Sequence, residues 1–260
     1  MNFTFGIVTN GQRLDYTIKS IQQLNIPNYE IIIVGQTPTA ITDDHIRYIP
    51  FDESVKEAWI TRKKNLICEE AKYDNIVLMH DYVIIHPDFY TGFLKFGEKY
   101  DICVPKILNM DGSRYRDYIL FPQYHWWSKV TGWKCNKFLL PYWLPTNTKL
   151  NKFVYISGSV YVIKKEIALK YPLDERLSWG KDEDVRLSIT LSNNNILMKC
   201  NQYSTVQFMK YKVRAYCLDN DVLSIYDVKQ LFTELDRIEK EDSAFFNIQY
   251  DPETKQEIPK

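Results

Sequence analysis

The chain has 260 residues and carries 33 Lys and Arg against 33 Asp and Glu, so its formal net charge is zero. A chain of this length can bury a core without disulfides or metals, and a neutral chain lacks the basic excess of a general nucleic-acid binder. Apolar residues make up 45% and charged residues 25% of the sequence, which excludes a largely disordered or fibrous protein.

The first half of the chain alternates short apolar runs with helical patterns. Periodicity predicts strands at 3–9, 29–35, 45–50 and 75–85, and helices at 14–25 and 54–71. The runs at 29–35 and 75–85 are continuously apolar, as expected of strands that are buried on both faces of a parallel sheet. This order of elements predicts an open α/β sheet.

The second half of the chain is less regular. A strand is predicted at 101–108 and is followed by an irregular segment, 109–151, rich in Tyr, Trp, Pro and Lys. Long irregular segments in compact domains are usually binding loops or lids. The later predictions are a strand, turn, strand and helix over 153–172, a helix or strand over 179–195, a strand over 196–200, a helix over 223–241 and a polar tail over 243–260.

Cysteine usage and the N-terminal sequence bear on the cellular location. The five cysteines are scattered without metal-ligand spacing, which indicates reduced thiols. The N-terminal residues do not form a basic and apolar leader, and no apolar run is long enough to cross a membrane. We therefore expect a cytoplasmic protein without an integral membrane segment.

Several motifs of common enzyme classes are missing from the sequence. Gly6 and Gly11 have P-loop spacing, but Gln12 and Arg13 follow where Lys and Ser or Thr are required. There is no G-x-G-x-x-G and no G-x-S-x-G, and the four histidines lack paired-ligand spacing. These observations argue against P-loop NTPases, Rossmann dehydrogenases, triad hydrolases and zinc enzymes.

Two acidic sites remain as candidates. Asp81 directly follows an apolar strand, where a carboxylate is costly to bury unless it is paired or binds a cation. Asp182, Glu183 and Asp184 follow a Trp-Gly turn, and adjacent carboxylates raise one another's pKa, so that one of them can act as a general base near neutral pH. The simpler alternatives are a solvated Asp at a strand end and an acidic helix N-terminus.

Six segments together resemble the GT-A fold glycosyltransferases, particularly the inverting family-2-like and β-galactosyltransferase-like enzymes. In chain order they are FGIVTN, YEIIIVG, TRKKNL, VLMHDYVIIHP, ISGSVYVIKKEI and LSWGKDEDVRL. The resemblance covers roughly residues 3–200. It implies a mostly parallel, twisted sheet flanked by helices in one domain over 1–242, with a Rossmann-like nucleotide-sugar-binding half at 1–106 and an acceptor half at 107–242.

The resemblance also implies an activity: transfer of a sugar from a nucleotide-sugar donor, with a UDP-sugar favoured, to a saccharide hydroxyl with inversion, as in polysaccharide biosynthesis. Asp184 would be the general base, with Glu183 and Asp182 beside it. The implied donor-binding residues are Val8, Thr9, Asn10, Arg13, Gly35, Gln36, Arg62, Lys63, Asn65, His80 and Asp81. The implied acceptor-binding residues are Trp179, Gly180, Trp126, Trp127 and Trp133.

The sequence departs from the family's metal motif. Val83 stands where the Asp-x-Asp pattern has its second carboxylate. The expected cofactor is Mn²⁺ or Mg²⁺ at Asp81, and the alternative is that Arg62, Lys63 or Lys64 stabilises the leaving diphosphate. Two other functions stay open: a sugar nucleotidyltransferase, and a non-catalytic carbohydrate-binding protein that retains the fold.

Overall fold

The computed structural model describes the whole chain except residues 12, 37–42, 121–137, 213–221, 223, 242–247, 251–256 and 260. Its strands are β1 Phe3–Thr9, β2 Tyr29–Gly35, β3 Ile46–Pro50, β4 Asn75–His80, β5 Val83–Ile85, β6 Ile102–Leu108, β7 Tyr118–Leu120, β8 Phe138–Leu139, β9 Val154–Ile156, β10 Val160–Lys164, β11 Met198–Phe208, β12 Ile248–Tyr250 and β13 Glu257–Pro259. Its helices are α1 Leu14–Gln22, α2 Ile60–Glu70, α3 Asp88–Phe96, α4 Thr148–Asn151, α5 Lys165–Lys170, α6 Glu183–Asn193 and α7 Ile225–Glu241.

Eight strands form the central sheet, in the order β3-β2-β1-β4-β10-β6-β11-β5. The pairs β2–β3, β1–β2, β1–β4 and β6–β11 are parallel, whereas β10 runs antiparallel to β4 and β6, and β5 runs antiparallel to β11. Helices flank this mixed sheet. The predicted α/β fold class, an open and mostly parallel sheet with flanking helices, is confirmed.

The apolar runs of β1 and β2 are buried because helices cover the sheet. Every residue of β1 is buried, as are the last five of β2. Helix α2 packs on β1, β2 and β4, while α1 packs on β5 and α3 on β11. The packing of α2 is close, because a Cβ added at Gly6 of β1 would lie 2.2 Å from Cγ2 of Ile67.

The run at 75–85, predicted as one strand, is two strands that belong to different parts of the sheet. Between β4 and β5 lie only Asp81 and Tyr82, yet β5 pairs with β11 at the far end of the strand order. Three Cα steps span at most about 11 Å, so the sheet must curl until β5 and β11 lie beside the end of β4. Periodicity misses this break because Val83 and Ile85 are as buried as the residues of β4.

The second half contains more regular structure than its composition predicts. Strand β7 pairs with β8 and β9 in a separate three-stranded sheet. Strands β7 and β8 lie within the segment predicted as irregular, 109–151, and β9 follows it. The ambiguous segment 179–195 contains the helix α6, and β11 extends to Phe208, well beyond the predicted strand at 196–200. The segment predicted as a polar tail contains the β12–β13 hairpin. None of the described helices is both long and apolar enough to cross a membrane.

Candidate active site

A cleft of about 320 Å³ opens where β1 and β4 end. Ligands of open α/β sheets bind at the carboxyl ends of the strands, so this is the expected edge for a site. The cleft is lined by Val8, Thr9, Asn10, Arg13, Glu53, Ala58, Ile60, Lys63, His80, Asp81, Tyr82, Trp179, Lys210 and Lys212.

Asp81 lies in the wall of this cleft with its carboxylate held by β1. Its Oδ2 accepts hydrogen bonds from Thr9 Oγ1 at 2.7 Å and from the backbone N–H of Asn10 at 3.3 Å. Its backbone carbonyl accepts a third bond, from Thr17 Oγ1 at 2.8 Å. Asp81 is 7% exposed, and these donors compensate for the burial of its charge.

Cationic side chains dominate the cleft. Its lining contains four of them, Arg13, Lys63, Lys210 and Lys212, against the two carboxylates of Glu53 and Asp81. Lys63 forms an ion pair with Glu53, and Arg13 donates to the backbone carbonyl of Met209 at 3.1 Å. The described lining therefore carries an excess of positive charge that suits an anionic ligand.

The two remaining lysines surround the ring of Tyr82. Lys212 Nζ donates to Ser159 Oγ at 2.9 Å and to the Tyr82 hydroxyl at 3.3 Å, while Lys210 Nζ lies 3.7 Å from the centre of the Tyr82 ring. Burial, followed by the nearby charge of Lys210, lowers the pKa of Lys212 to about 8. Burial and then the charge of Lys64 hold the pKa of His80 well below its usual value, so His80 is neutral.

A second cluster of charged side chains lies at the start of α6. It contains the carboxyl groups of Glu183 and Asp184, which we call the acid pair. Asp184 Oδ2 accepts hydrogen bonds from the Tyr155 hydroxyl at 2.6 Å and from the backbone N–H of Gly158 at 2.9 Å. Its Oδ1 accepts the backbone N–H of Val185 at 3.0 Å. A Cβ added at Gly158 would lie 2.9 Å from both Cβ and Oδ2 of Asp184, so this close approach requires glycine.

Glu183, the other member of the acid pair, is 8% exposed. Burial and then the charge of Asp184 raise its pKa to about 7, and the charge of Lys64 opposes that rise. Lys64 is itself fully buried and donates from Nζ to the Gly158 carbonyl at 2.8 Å. Burial lowers the pKa of Lys64, while the charges of Glu183 and Asp184 act in the opposite direction. The site therefore contains a carboxyl group that exchanges its proton near neutral pH.

Comparison with solved structures identifies the fold of the chain. The structure of GalNAc-T7 with UDP, GalNAc and Mn²⁺ matches with a TM-score of 0.56 and 12% identity, covering 94% of this chain and 50% of that one. S. aureus TarS 1–349 matches with a TM-score of 0.50 and 10% identity, covering 79% of this chain and 60% of that one, and its UDP complex covers 93% and 67%. Both are GT-A glycosyltransferases. The chain has the GT-A fold.

The GT-A fold confirms the resemblance seen in the sequence. No protein-family model matches the sequence, and no curated protein sequence does. The chain spans half the length of the GalNAc-T7 chain and 60–67% of the TarS chain. These likenesses are at 10–12% identity, so they establish the fold, while activity and substrates must be argued from the site.

The structure brings many of the predicted donor-binding residues of the GT-A fold together. Seven of them line the cleft: Val8, Thr9, Asn10, Arg13, Lys63, His80 and Asp81. The predicted acceptor residue Trp179 lines it as well. Gly35 lies next to it, since it pairs with Thr9, and a Cβ there would lie 2.1 Å from the Thr9 carbonyl. Gln36 follows as an exposed residue.

Two predicted donor-binding residues on α2, Arg62 and Asn65, do not face the cleft. Arg62 forms ion pairs with Glu69 at 2.6 Å and Glu175 at 3.2 Å. Asn65 donates to the Leu173 carbonyl at 2.9 Å and to Glu175 Oε1 at 3.0 Å, and its own Oδ1 accepts the Leu173 N–H. These side chains hold the segment 173–175 against α2 and do not line the cleft.

Only two of the five predicted acceptor residues, Trp179 and Gly180, lie in the described part of the chain. Trp179 is 66% exposed at the mouth of the cleft, and its backbone N–H donates to the Ala58 carbonyl at 3.0 Å. Gly180 and Asp182 turn the chain into α6 with positive φ angles of 75° and 59°. Three predicted acceptor residues, Trp126, Trp127 and Trp133, lie outside the described residues.

The described residues do not form a complete set of protein ligands for a divalent metal. They contain no group of three His, Cys, Asp or Glu side chains that could hold an ion. Val83, at the second position of the metal motif, is fully buried in β5. Oδ2 of Asp81 accepts hydrogen bonds from Thr9 and Asn10, and Lys63, Lys210 and Lys212 line the same cleft. The GalNAc-T7 structure contains Mn²⁺, whereas the described part of this chain contains no such group of three ligands.

Sequence reasoning missed six lining residues: Glu53, Ala58, Ile60, Tyr82, Lys210 and Lys212. The two lysines flank Tyr211 shortly after the end of β11. Nothing in the pattern, however, indicates which part of the sheet that strand joins. The Phe208–Val83 pairing of β11 with β5 brings the lysines to Asp81.

Proposed function

We propose that the protein is a glycosyltransferase that moves a sugar from a nucleotide-sugar donor, with a UDP-sugar favoured, to a hydroxyl of a saccharide acceptor with inversion. One observation carries this proposal. An excess of cationic side chains lines the cleft at the carboxyl ends of β1 and β4, and the acid pair lies near it across the β9–β10 turn. The UDP in the TarS and GalNAc-T7 structures supports the choice of donor.

The donor's diphosphate binds in the cleft, because this is where positive charge is concentrated. The ring of His80 is neutral, and the four cationic side chains of the lining outnumber the carboxylates of Glu53 and Asp81. Gly35 allows β2 to approach the Thr9 carbonyl closely, which keeps the ends of β1 and β2 in register beside the nucleotide.

The acid pair supplies the base. Asp184 Oδ2 is held by Tyr155 and Gly158, so the carboxylate has one orientation, and its Oδ1 accepts the backbone N–H of Val185. Asp184 takes the acceptor hydroxyl proton as the acceptor oxygen bonds to the anomeric carbon. The bond from that carbon to the diphosphate oxygen breaks on the opposite face, which inverts the configuration, and the leaving nucleoside diphosphate takes the electron pair.

Glu183 is a second candidate for the base, favoured by its pKa of about 7. A general base works best when its pKa lies near the working pH. In the primary proposal Glu183 and Asp182 position acceptor hydroxyls instead. Trp179, exposed at the mouth of the cleft, offers a ring face on which a sugar can stack, and the turn at Gly180 presents it.

The test is release of free nucleoside diphosphate from a panel of nucleotide sugars in the presence of saccharide acceptors, with Asp184→Asn as the inactive control. Release that depends on an acceptor and on Asp184 supports the proposal. Pyrophosphate release from a nucleoside triphosphate and a sugar phosphate would indicate a nucleotidyltransferase. Saccharide binding without any release would indicate a carbohydrate-binding protein. The division at residue 106, a cytoplasmic location and a role in polysaccharide biosynthesis stay predictions from the sequence.

A further inference from the structure

The segment that follows β11 reaches the turn that carries Asp81. Phe208 pairs with Val83, and the backbone N–H of Met209 donates to the Tyr82 carbonyl at 2.9 Å. The chain therefore passes alongside the residue next to Asp81. Lys210 and Lys212 extend from this segment into the cleft.

These two lysines form no ion pair within the described part of the protein. Lys212 Nζ has two neutral hydroxyl partners, Ser159 and Tyr82, and Lys210 Nζ packs over the Tyr82 ring. The charge of Asp81 acts on Lys210 and that of Asp184 on Lys212, but without a direct ion pair. Both side chains are partly buried, and a partly buried ammonium that lacks a direct ion pair gains interaction free energy from an anionic ligand.

The other cations near the cleft are engaged by the protein. Lys63 pairs with Glu53, Arg62 pairs with Glu69, and Lys64 is fully buried against the Gly158 carbonyl. These are the lysine and arginine residues that the sequence suggested as substitutes for a metal. Arg13 shares the cleft but already donates to the Met209 carbonyl, next to Lys210.

We propose that Lys210 and Lys212 bind the diphosphate of the donor and of the leaving nucleotide in place of a divalent cation, so that transfer does not require metal. This proposal rests on the proposed function. Two ammonium groups carry the same charge as one divalent ion, and they lie beside Asp81, where the second carboxylate of the metal motif is replaced by Val83. When the bond to the anomeric carbon breaks, the diphosphate gains negative charge, which fixed cations in the cleft stabilise.

Calorimetric titration of the full chain with UDP, in EDTA and again in Mn²⁺, tests the proposal. The variants are K210A, K212A, K210A/K212A and the charge-conserving K210R/K212R. A double variant at exposed lysines away from the cleft, K19A/K229A, is the matched control for net charge. We expect wild-type affinities in EDTA and Mn²⁺ to agree within about twofold, and K210A/K212A to lose about tenfold or more while the arginine variant and the control bind as wild type.

Two results overturn the proposal while leaving the nucleotide-sugar function in place: a tenfold or greater gain in UDP affinity on adding Mn²⁺, or unchanged affinity in K210A/K212A. The absence of UDP, GDP and dTDP binding in both conditions would overturn the proposed donor site and this inference together. Circular dichroism checks the fold of each variant, and K210Q/K212Q replaces the alanine variant if that one does not fold.

Discussion

The cleft and the acid pair use charge in opposite ways, although they meet at the edge where β4 ends and β10 begins. In the cleft, ammonium groups such as Lys210 and Lys212 contact hydroxyls and a ring and have no described carboxylate partner. At the acid pair, Asp184 receives three protein hydrogen bonds and Glu183 is buried. A site that binds an anion keeps its charges available, whereas a site that moves a proton tunes a carboxyl group by burial.

Lys64 belongs to both regions. Its Nζ donates to the Gly158 carbonyl, on the same residue whose N–H holds Asp184. Its charge contributes to the low pKa of His80 in the cleft and opposes the rise in the pKa of Glu183. One buried lysine thus couples the electrostatics of the two sites, and the comparison between them can be tested by substitutions on each side.

Asp184→Asn should have the largest effect, because it removes the proton acceptor and keeps the side-chain shape. We expect turnover to fall by about 10²–10⁴, with UDP affinity unchanged by calorimetry. Asp15→Asn, at an exposed carboxylate of α1 away from the cleft, is the control and should retain activity. If Asp184→Asn stays active while Glu183→Gln is inactive, Glu183 is the base.

Gly158→Ala should disturb the acid pair without changing its chemistry. The added Cβ would lie 2.9 Å from Cβ and Oδ2 of Asp184, so the carboxylate must move. A misplaced catalytic group costs on the order of 10–10² in turnover, and steady-state kinetics would show this in kcat, with UDP binding retained.

Gly97→Ala is the matched control for that substitution, because Gly97 has a positive φ of 80° and no atom within 4 Å of its added Cβ. It strains the backbone away from the site. Gly158 has no positive φ, so an equal loss of turnover in both variants would point to a general effect on the fold and not to contact with Asp184.

Lys64→Met should shift the pH dependence of turnover. Without the ammonium, the pKa of Glu183 rises above its value of about 7, because the charge that opposes the rise is lost. Glu183 must be ionised to accept the acceptor hydroxyl, whether it positions that hydroxyl or acts as the base, so the acidic limb of the pH–rate profile should move to higher pH, with several-fold lower activity at pH 7. Lys72→Met, an exposed lysine just beyond α2, should leave the profile where it is, and an unshifted limb in Lys64→Met would contradict the coupling.

The smallest expected effect is that of Glu183 on the pH dependence of the free energy of unfolding. Burial raises the pKa of Glu183 from 4.5 to about 7 in the folded protein, so the protonated form is the one that folding favours. The contribution of Glu183 to the free energy of unfolding is fully present below pH 4.5 and is lost as the pH rises through 7. It amounts to roughly 3 kcal/mol at most.

Glu183→Gln removes that titration. Its free energy of unfolding relative to wild type should therefore increase between pH 5 and pH 8, as measured by urea denaturation. Glu166→Gln, at an exposed carboxylate of α5, is the control. A difference between Glu183→Gln and wild type that does not change with pH would show that Glu183 does not titrate in this range.

The sequence by itself determined the elements of the sheet and the outline of the site. Continuous apolar runs mark β2 and β4 because strands that are buried on both faces have no polar side to display. Asp81 stood out because it ends such a strand, and Glu183 and Asp184 because they crowd at a turn.

Only the tertiary structure decided which charges meet. Lys210 and Lys212 reach Asp81 because β11 pairs with β5 across more than a hundred residues of chain, and Gly158 and Tyr155 reach Asp184 through the packing of α6 on β9. Local periodicity records whether a side chain is buried, but not which strand lies beside it. For the same reason the sequence grouped Arg62 with the cleft, whereas the fold turns it to Glu69 and Glu175.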